Sequence, residues 1–135
     1  MRKGLELAII DNNFNPICVF TSEIKPHAIT VLKQNYPNEY IYGDITQIDT
    51  KVIPDFDILC AGFPCQSFSF AGKRKGFADT RGTLFFEIER ILRDKRPKGF
   101  ILENVEGLVN HNSGNTLKII LDHIKALGYN TDSDT

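Results

Sequence analysis

Four polar side chains stand where apolar runs end, and each could do chemistry. Cys65 lies in Gly62-Phe63-Pro64-Cys65-Gln66, just past the run Ile58-Leu59-Cys60-Ala61. A thiol behind a proline, at the mouth of a sheet and leading a long loop, is well placed as a nucleophile. Residue type alone leaves inert packing open, which is the ordinary fate of a cysteine and the reading given to Cys18 and Cys60. Glu103 follows Phe100-Ile101-Leu102 directly. It could serve as an acid, as a helix cap or as a plain surface charge. Glu23 ends a second run and precedes a helical pattern; an acid there can accept hydrogen bonds from ribose hydroxyls. Asp44, in Gly43-Asp44-Ile45, is at another such end, where a turn aspartate is the plainer reading. The Cys60/Cys65 spacing has no histidine beside it, so no metal centre is expected.

The elements that would hold these residues alternate. Arg2 to Asn12 has the helical spacing Leu5, Ala8, Ile9. Ile17 to Phe20 is a β-rich run. Lys25 to Gln34 reads as a helix through Ala28, Ile29 and Leu32, stopped by Pro37. Tyr40 to Tyr42 and Phe56 to Ala61 read as strands, and 62–80 as a loop. Thr83 to Lys95 carries Leu84, Ile88, Ile91 and Leu92 on one face, with Pro97 at its exit. Phe100 to Leu102 is a buried strand. Thr116 to Leu127 is a helix with Gly128 in the capping position. Strands alternating with helices predict an α/β fold, a mostly parallel sheet that binds ligands at the carboxyl ends of its strands.

Bulk properties narrow the class. The 135 residues suffice for one compact domain. The chain is 41% hydrophobic and 24% charged, an ordinary soluble composition. Its apolar runs are too short to span a membrane, and its first residues lack the apolar core of a secretory signal. Three cysteines are too few and odd for a disulfide framework and fit a reducing cytoplasm. A net charge of −1 gives no general attraction to nucleic acid, so any DNA contact needs a local basic patch.

The strings GFPCQSFS (62–69), DTRGTLFFEI (79–88) and ENV (103–105), in that order, resemble the signature of bacterial DNA cytosine-5 methyltransferases. The resemblance covers essentially the whole chain and includes GDI at 43–45 and the acid Glu23. It implies a Rossmann-like fold and methyl transfer from S-adenosylmethionine to C5 of a flipped cytosine in double-stranded DNA, in a restriction-modification setting. Cys65 resembles the nucleophile that adds to C6. Glu103 resembles the acid at N3, and Pro64 would offer its carbonyl to the exocyclic amine. In the donor pocket Glu23 would hold the ribose, Ile24 would pack on adenine and Asp44 would read the adenine amino group. Ile45 and Leu84 would be apolar walls. The segment 63–79 resembles the family's mobile catalytic loop. Its Lys73-Arg74-Lys75 cluster and Arg81 could bind phosphates, and Gln66 and Ser69 would face DNA. Gly62, just before it, and Gly72 and Gly76 within it would give that loop its freedom.

The family's opening strand and F-x-G-x-G turn have no counterpart here, nor do its arginine motif, target-recognition region and final helix. Residues 1–135 therefore read as a partial catalytic domain. It is expected to be inactive alone, to bind the methyl donor weakly, and to need a complementary fragment or subunit. A tRNA cytosine-5 methyltransferase is a related alternative; a non-catalytic remnant is one of another class. The absent strand also predicts that Ile17 to Phe20 and Asp57 to Leu59 either lack a sheet neighbour on their facing edges or pair with each other.

Overall fold

In the computed structural model, residues 1–64 and 84–131 are described. They form two compact units, Met1–Phe56 and Asp57–Thr135.

The first unit opens with α1 (Arg2–Asp11), which runs on to Asn12 as its cap. Arg2 ties the helix to the rest of the unit. Its Nε donates to Glu6 at 2.7 Å, its Nη1 to Glu39 Oε2 at 2.6 Å, and its guanidinium lies 3.6 Å from the Tyr36 ring centre. The bond from Arg2 holds the Glu39 carboxyl below the usual carboxylate range, although partial burial opposes this. Helix α2 (Pro26–Asn35) starts one residue later than its pattern suggests. Lys25 is the cap and Pro26 takes the first helical position, where the missing N–H costs nothing.

Ile17 to Phe20 forms no strand, contrary to its β-rich composition. Pairing in this unit is reduced to one parallel bridge, Ser22 to Tyr42. Tyr42 N–H donates to the Thr21 carbonyl at 2.8 Å and Glu23 N–H to the Tyr42 carbonyl at 3.1 Å. A strand exists only through its partner, and here the partner segment is paired at one residue. Two 3-10 turns come next in the chain, Ile45–Gln47 and Thr50–Val52, each capped by the aspartate before it. They have too few residues to show a period, and the sequence pattern does not reveal them.

The second unit is a strand-helix-strand crossover with further helices on it. Strand β1 (Ile58–Gly62) pairs in parallel with β2 (Gly99–Glu103), in register from Ile58↔Gly99 to Gly62↔Glu103. The expected Asp57 is one residue outside β1. Among the described residues β2 is the one strand paired with β1, within the second unit. Helix α3 (Leu84–Lys95) connects the strands. Thr83, expected as its first residue, lies outside the described residues. Phe85, Ile88, Ile91 and Leu92 form its buried stripe, at the spacing of one helical face. Arg96 then takes a left-handed conformation (φ 51°), and Pro97 ends the helix. The short helix α4 (Gly107–Asn110) is not foreseen in the sequence pattern; one turn has no readable periodicity. Helix α5 (Asn115–Ala126) buries Thr116, Ile120 and Ile124. Gly128 has φ 89°, the conformation a glycine adopts without penalty after a helix.

The core comprises Phe63, Phe85, Ile88, Leu92, Leu108, Ile120 and Ile124, with Leu59, Ala61, Phe100 and Leu102 packed on it. These strand residues alternate in sequence, so one sheet face carries α3 and α5. On the opposite face Ile58 and Ile101 are each 42% exposed. The fold class holds in its coarser form: mixed helix and strand around a small parallel sheet. No helix among the described residues is long and apolar enough to cross a membrane.

Candidate active site

Two strand ends meet at the carboxyl edge of the sheet. Strand β1 gives way to Gly62-Phe63-Pro64, and β2 to Glu103-Asn104-Val105. Parallel pairing brings them side by side, because Gly62 and Glu103 are cross-strand partners. Phe63 is buried, and its ring lies 5.7 Å from that of Phe85. This anchor is not apparent in the sequence, where Phe63 reads as loop. It fixes the chain as the strand ends and leaves Pro64 exposed beyond it.

Glu103 is exposed, and among the described residues its carboxylate makes no hydrogen bond to the protein. It lies over Gly62: a Cβ built at position 62 would sit 3.2 Å from Glu103 Oε2. Gly62 therefore closes β1 and leaves room for a carboxylate, a different role from the loop freedom expected of it. The backbone there is not in the left-handed region, so alanine fits without strain. Gly62→Ala is expected to keep or raise the stability of the chain, by about 0.4–1 kcal/mol, through a less flexible unfolded state. It should also push the Glu103 carboxyl aside. Thermal unfolding and the ¹³C resonance of the Glu103 carboxyl check the two halves. An unmoved resonance would mean that the carboxylate does not rest on Gly62.

Asn104 falls within the string ENV, but the sequence reading gives it no role of its own. Its Nδ2 donates to the Phe63 carbonyl at 2.6 Å, and its Oδ1 accepts from Val105 N–H at 2.9 Å.

The other candidates form a second group, in the first unit. The Ser22–Tyr42 bridge sets Glu23 and Gly43-Asp44 at neighbouring chain ends, and Ser22 Oγ donates to the Gly43 carbonyl at 2.6 Å. Glu23 Oε1 accepts from the N–H groups of Ile24 and Lys25, at 2.8 and 2.9 Å. Asp44 Oδ1 accepts from Thr46 N–H at 2.9 Å and Thr46 Oγ1 at 2.8 Å. The backbone bond from Thr46, then its hydroxyl, lower the Asp44 pKa below the ordinary value. In each acid both bonds fall on one oxygen, which leaves the other uncommitted among the described residues. Ile24 is 63% exposed, and Ile45 is half-buried. Leu84, expected with this group, is the first residue of α3 and packs on the core of the second unit. A cleft of about 210 Å³, lined by residues that include Cys18, Phe20, Glu39 and Tyr40, contains none of the expected donor residues.

Cys65, Gln66, Ser69, Lys73, Arg74, Lys75 and Arg81 lie outside the described residues. Cys18 and Cys60 are half-buried and in no disulfide. The Cys18 thiol lies 3.4 Å from the Phe20 carbonyl and 3.3 Å from Thr21 Oγ1, a packing and hydrogen-bonding role. Among the described residues no cluster of three or more histidine, cysteine or acidic side chains could hold a metal.

The family model "C-5 cytosine-specific DNA methylase" matches residues 2–135. The Type II methyltransferase M.NlaIV of Neisseria lactamica is 64% identical over 136 residues, covering 96% of this chain and 32% of that protein. M.HgiCI of Herpetosiphon aurantiacus is 56% identical over 96% of this chain and 30% of its own length. M.HhaI of Haemophilus parahaemolyticus is 51% identical over 83% of this chain and 34% of its own. The chain thus spans about a third of the length of these relatives. With a match that runs over all but the first of its residues, it belongs to the C-5 cytosine-specific DNA methylase family.

Proposed function

We propose that this chain supplies the catalytic centre for methylation of cytosine C5 in duplex DNA, as part of a cytoplasmic restriction-modification methyltransferase with a Rossmann-like catalytic domain. The observation that carries this reading is the register Gly62↔Glu103, because it sets an uncommitted carboxylate beside the strand end that precedes Phe63-Pro64, next in sequence to Cys65.

The chemistry is dictated by what cytosine lacks. Its C5 is too weak a nucleophile to take a methyl group. The Cys65 thiolate adds to C6, forming a carbon–sulfur bond, and the electron pair moves toward N3. Glu103 donates its proton, or a strong hydrogen bond, at N3, which leaves C5 with enamine character. The Pro64 carbonyl accepts from the exocyclic amine and orients the ring. Once C5 carries the methyl group, its proton passes to water, the carbon–sulfur bond breaks, the N3 proton returns to Glu103 and the thiolate is restored. A base inside a duplex cannot reach these groups, so the target cytosine is flipped out. Gln66, Ser69, Lys73, Arg74, Lys75 and Arg81 hold the DNA, a role supported by their charge and polarity in sequence.

S-adenosylmethionine, when bound, supplies an electrophilic methyl group on a sulfonium. The residues of the first unit suit its adenosine end. Glu23 has an uncommitted oxygen for ribose hydroxyls, Asp44 has one for an amino group, and Ile24 and Ile45 offer apolar surface.

The test is a hybrid in which the whole chain replaces the matching segment of the Neisseria lactamica relative. Transfer of label from S-adenosylmethionine to duplex DNA, with tRNA as a control acceptor, is the expected result. Capture of the hybrid on DNA containing 5-fluorocytosine, which cannot lose a C5 proton, provides a second readout. A folded hybrid that neither methylates DNA nor is captured would sink the proposal.

A further inference from the structure

We infer that Ser22 is a positioning residue for the methyl-donor pocket: its hydroxyl fixes the spacing between Glu23 and Asp44. This rests on the proposed roles of those two acids and deepens them. Ser22 lies one residue before Glu23, and Gly43 one residue before Asp44. The Ser22 Oγ crosses between the two segments and donates to the Gly43 carbonyl at 2.6 Å. The acids themselves are organised separately. Glu23 Oε1 accepts from the N–H groups of Ile24 and Lys25, in its own segment, at 2.8 and 2.9 Å. Asp44 caps the 3-10 turn Ile45–Gln47 through Thr46, and its carbonyl accepts from Gln47 N–H at 3.0 Å. Each carboxylate therefore moves with its own segment, and the distance between them is set where the segments join.

That join is short. The Ser22–Tyr42 bridge has two backbone hydrogen bonds, from Tyr42 N–H to the Thr21 carbonyl and from Glu23 N–H to the Tyr42 carbonyl. The second of them holds Glu23. A parallel ladder carried one step further would take Asp44 N–H to the Glu23 carbonyl. Among the described residues that bond is not made, so backbone pairing holds one acid and stops short of the other. Packing does not make up the difference. Gly43 is exposed, and a Cβ built on it would meet nothing within 4 Å. The Ser22 hydroxyl acts at this point. Its bond to the Gly43 carbonyl sets the rotation of the Gly43–Asp44 peptide plane, and so the direction in which the 3-10 turn and its capping carboxylate leave the bridge. Because Ser22 is covalently next to Glu23, one hydroxyl relates the two acids. Glu23 and Asp44 address two ends of one nucleoside, the ribose and the amino group of the base. Such a ligand binds best to groups already held at its own spacing.

Alanine and threonine at position 22 separate the hydroxyl from its surroundings. Ser22→Ala removes the donor, and Ser22→Thr keeps it. Calorimetry of the hybrid with S-adenosylhomocysteine, which has the same adenosine end, reads the pocket without the reaction. Ser22→Ala should weaken this binding about tenfold, the equivalent of one net hydrogen bond, and Ser22→Thr should stay within about threefold. In Ser22→Ala the KM for S-adenosylmethionine should rise by the same factor, with kcat and the KM for DNA within about twofold, the pattern of lost uniform binding. Asp44→Asn keeps the capping oxygen and turns the uncommitted one into an amide donor. In that background Ser22→Ala should cost little more, because the acid it positions is gone. Equal losses in the alanine and threonine variants would overturn the role. So would additive losses in the double variant, or a fall in kcat at unchanged donor affinity. Loss of the cooperative unfolding transition in Ser22→Ala would overturn it as well, since Ser22 would then hold the fold. If the unaltered, folded hybrid binds no S-adenosylhomocysteine, the donor-pocket reading fails and the role of Ser22 falls with it. Undiminished binding in Ser22→Ala, in a hybrid that binds and methylates, removes the positioning role alone.

Discussion

Replacing Cys65 with serine is expected to abolish methyl transfer in the hybrid and to abolish its capture on 5-fluorocytosine DNA, while binding of S-adenosylmethionine is kept. The reason lies in the atom. Addition to C6 is a conjugate addition to an electron-poor ring carbon, which suits a soft, polarizable thiolate that forms near neutral pH. A serine hydroxyl stays protonated near neutral pH and is a far weaker nucleophile toward such a carbon. Cys18→Ser and Cys60→Ser provide the contrast. Both are half-buried, and placing a hydroxyl in an apolar site costs about 1–3 kcal/mol when no partner is found. Cys18 should lie at or below the low end of that range, because Thr21 Oγ1 and the Phe20 carbonyl already stand beside its sulfur. Turnover in these two variants should survive once stability is accounted for. Full activity in Cys65→Ser, measured by label transfer, would end the assignment of the nucleophile.

How much of the fold and site is legible in the sequence depends on the range of the signal. Helices α3 and α5 write their buried faces into the chain at intervals of three and four, and Pro97 and Gly128 mark their ends. Strand β1 shows as an apolar run ending in glycine. Ile17 to Phe20 has the same local composition and forms no strand, because a ladder is a property of two segments and composition describes one. Phe63 illustrates the same limit from the other side. It reads as loop, yet it is buried, since its partners Phe85 and Leu108 come from distant positions. The acids at strand ends are readable because an apolar run stops at each. The neighbouring of Glu23 and Asp44 is not, since it rests on one bridge, Ser22 to Tyr42, that no local pattern announces. Asn104 is beyond reach, because its role is a bond to a residue 41 positions away.

Glu103→Gln is expected to lower turnover in the hybrid by roughly 10²–10⁴-fold, the range for a positioned acid–base group, with a much smaller change in DNA affinity. Glutamine preserves length and shape. Above Gly62, where a built Cβ would lie 3.2 Å from Glu103 Oε2, an isosteric side chain leaves the contact unchanged. Glutamine can also still donate a hydrogen bond to N3. What it cannot do is transfer a proton, so the negative charge that develops as the thiolate adds to C6 is left on the ring. The loss should therefore appear in kcat and leave the ground-state complex nearly intact, the pattern of an interaction made in the transition state. The carboxylate makes no bond to the protein among the described residues, so its removal should not unfold the site, and the melting temperature serves as the control. Glu103→Asp adds a geometric check. It keeps the acid and withdraws it by one methylene from a strand end whose register is fixed by Gly62, so its rate should fall between those of the unaltered hybrid and Glu103→Gln. An unchanged rate in Glu103→Gln would return Glu103 to an ordinary surface charge at the end of β2.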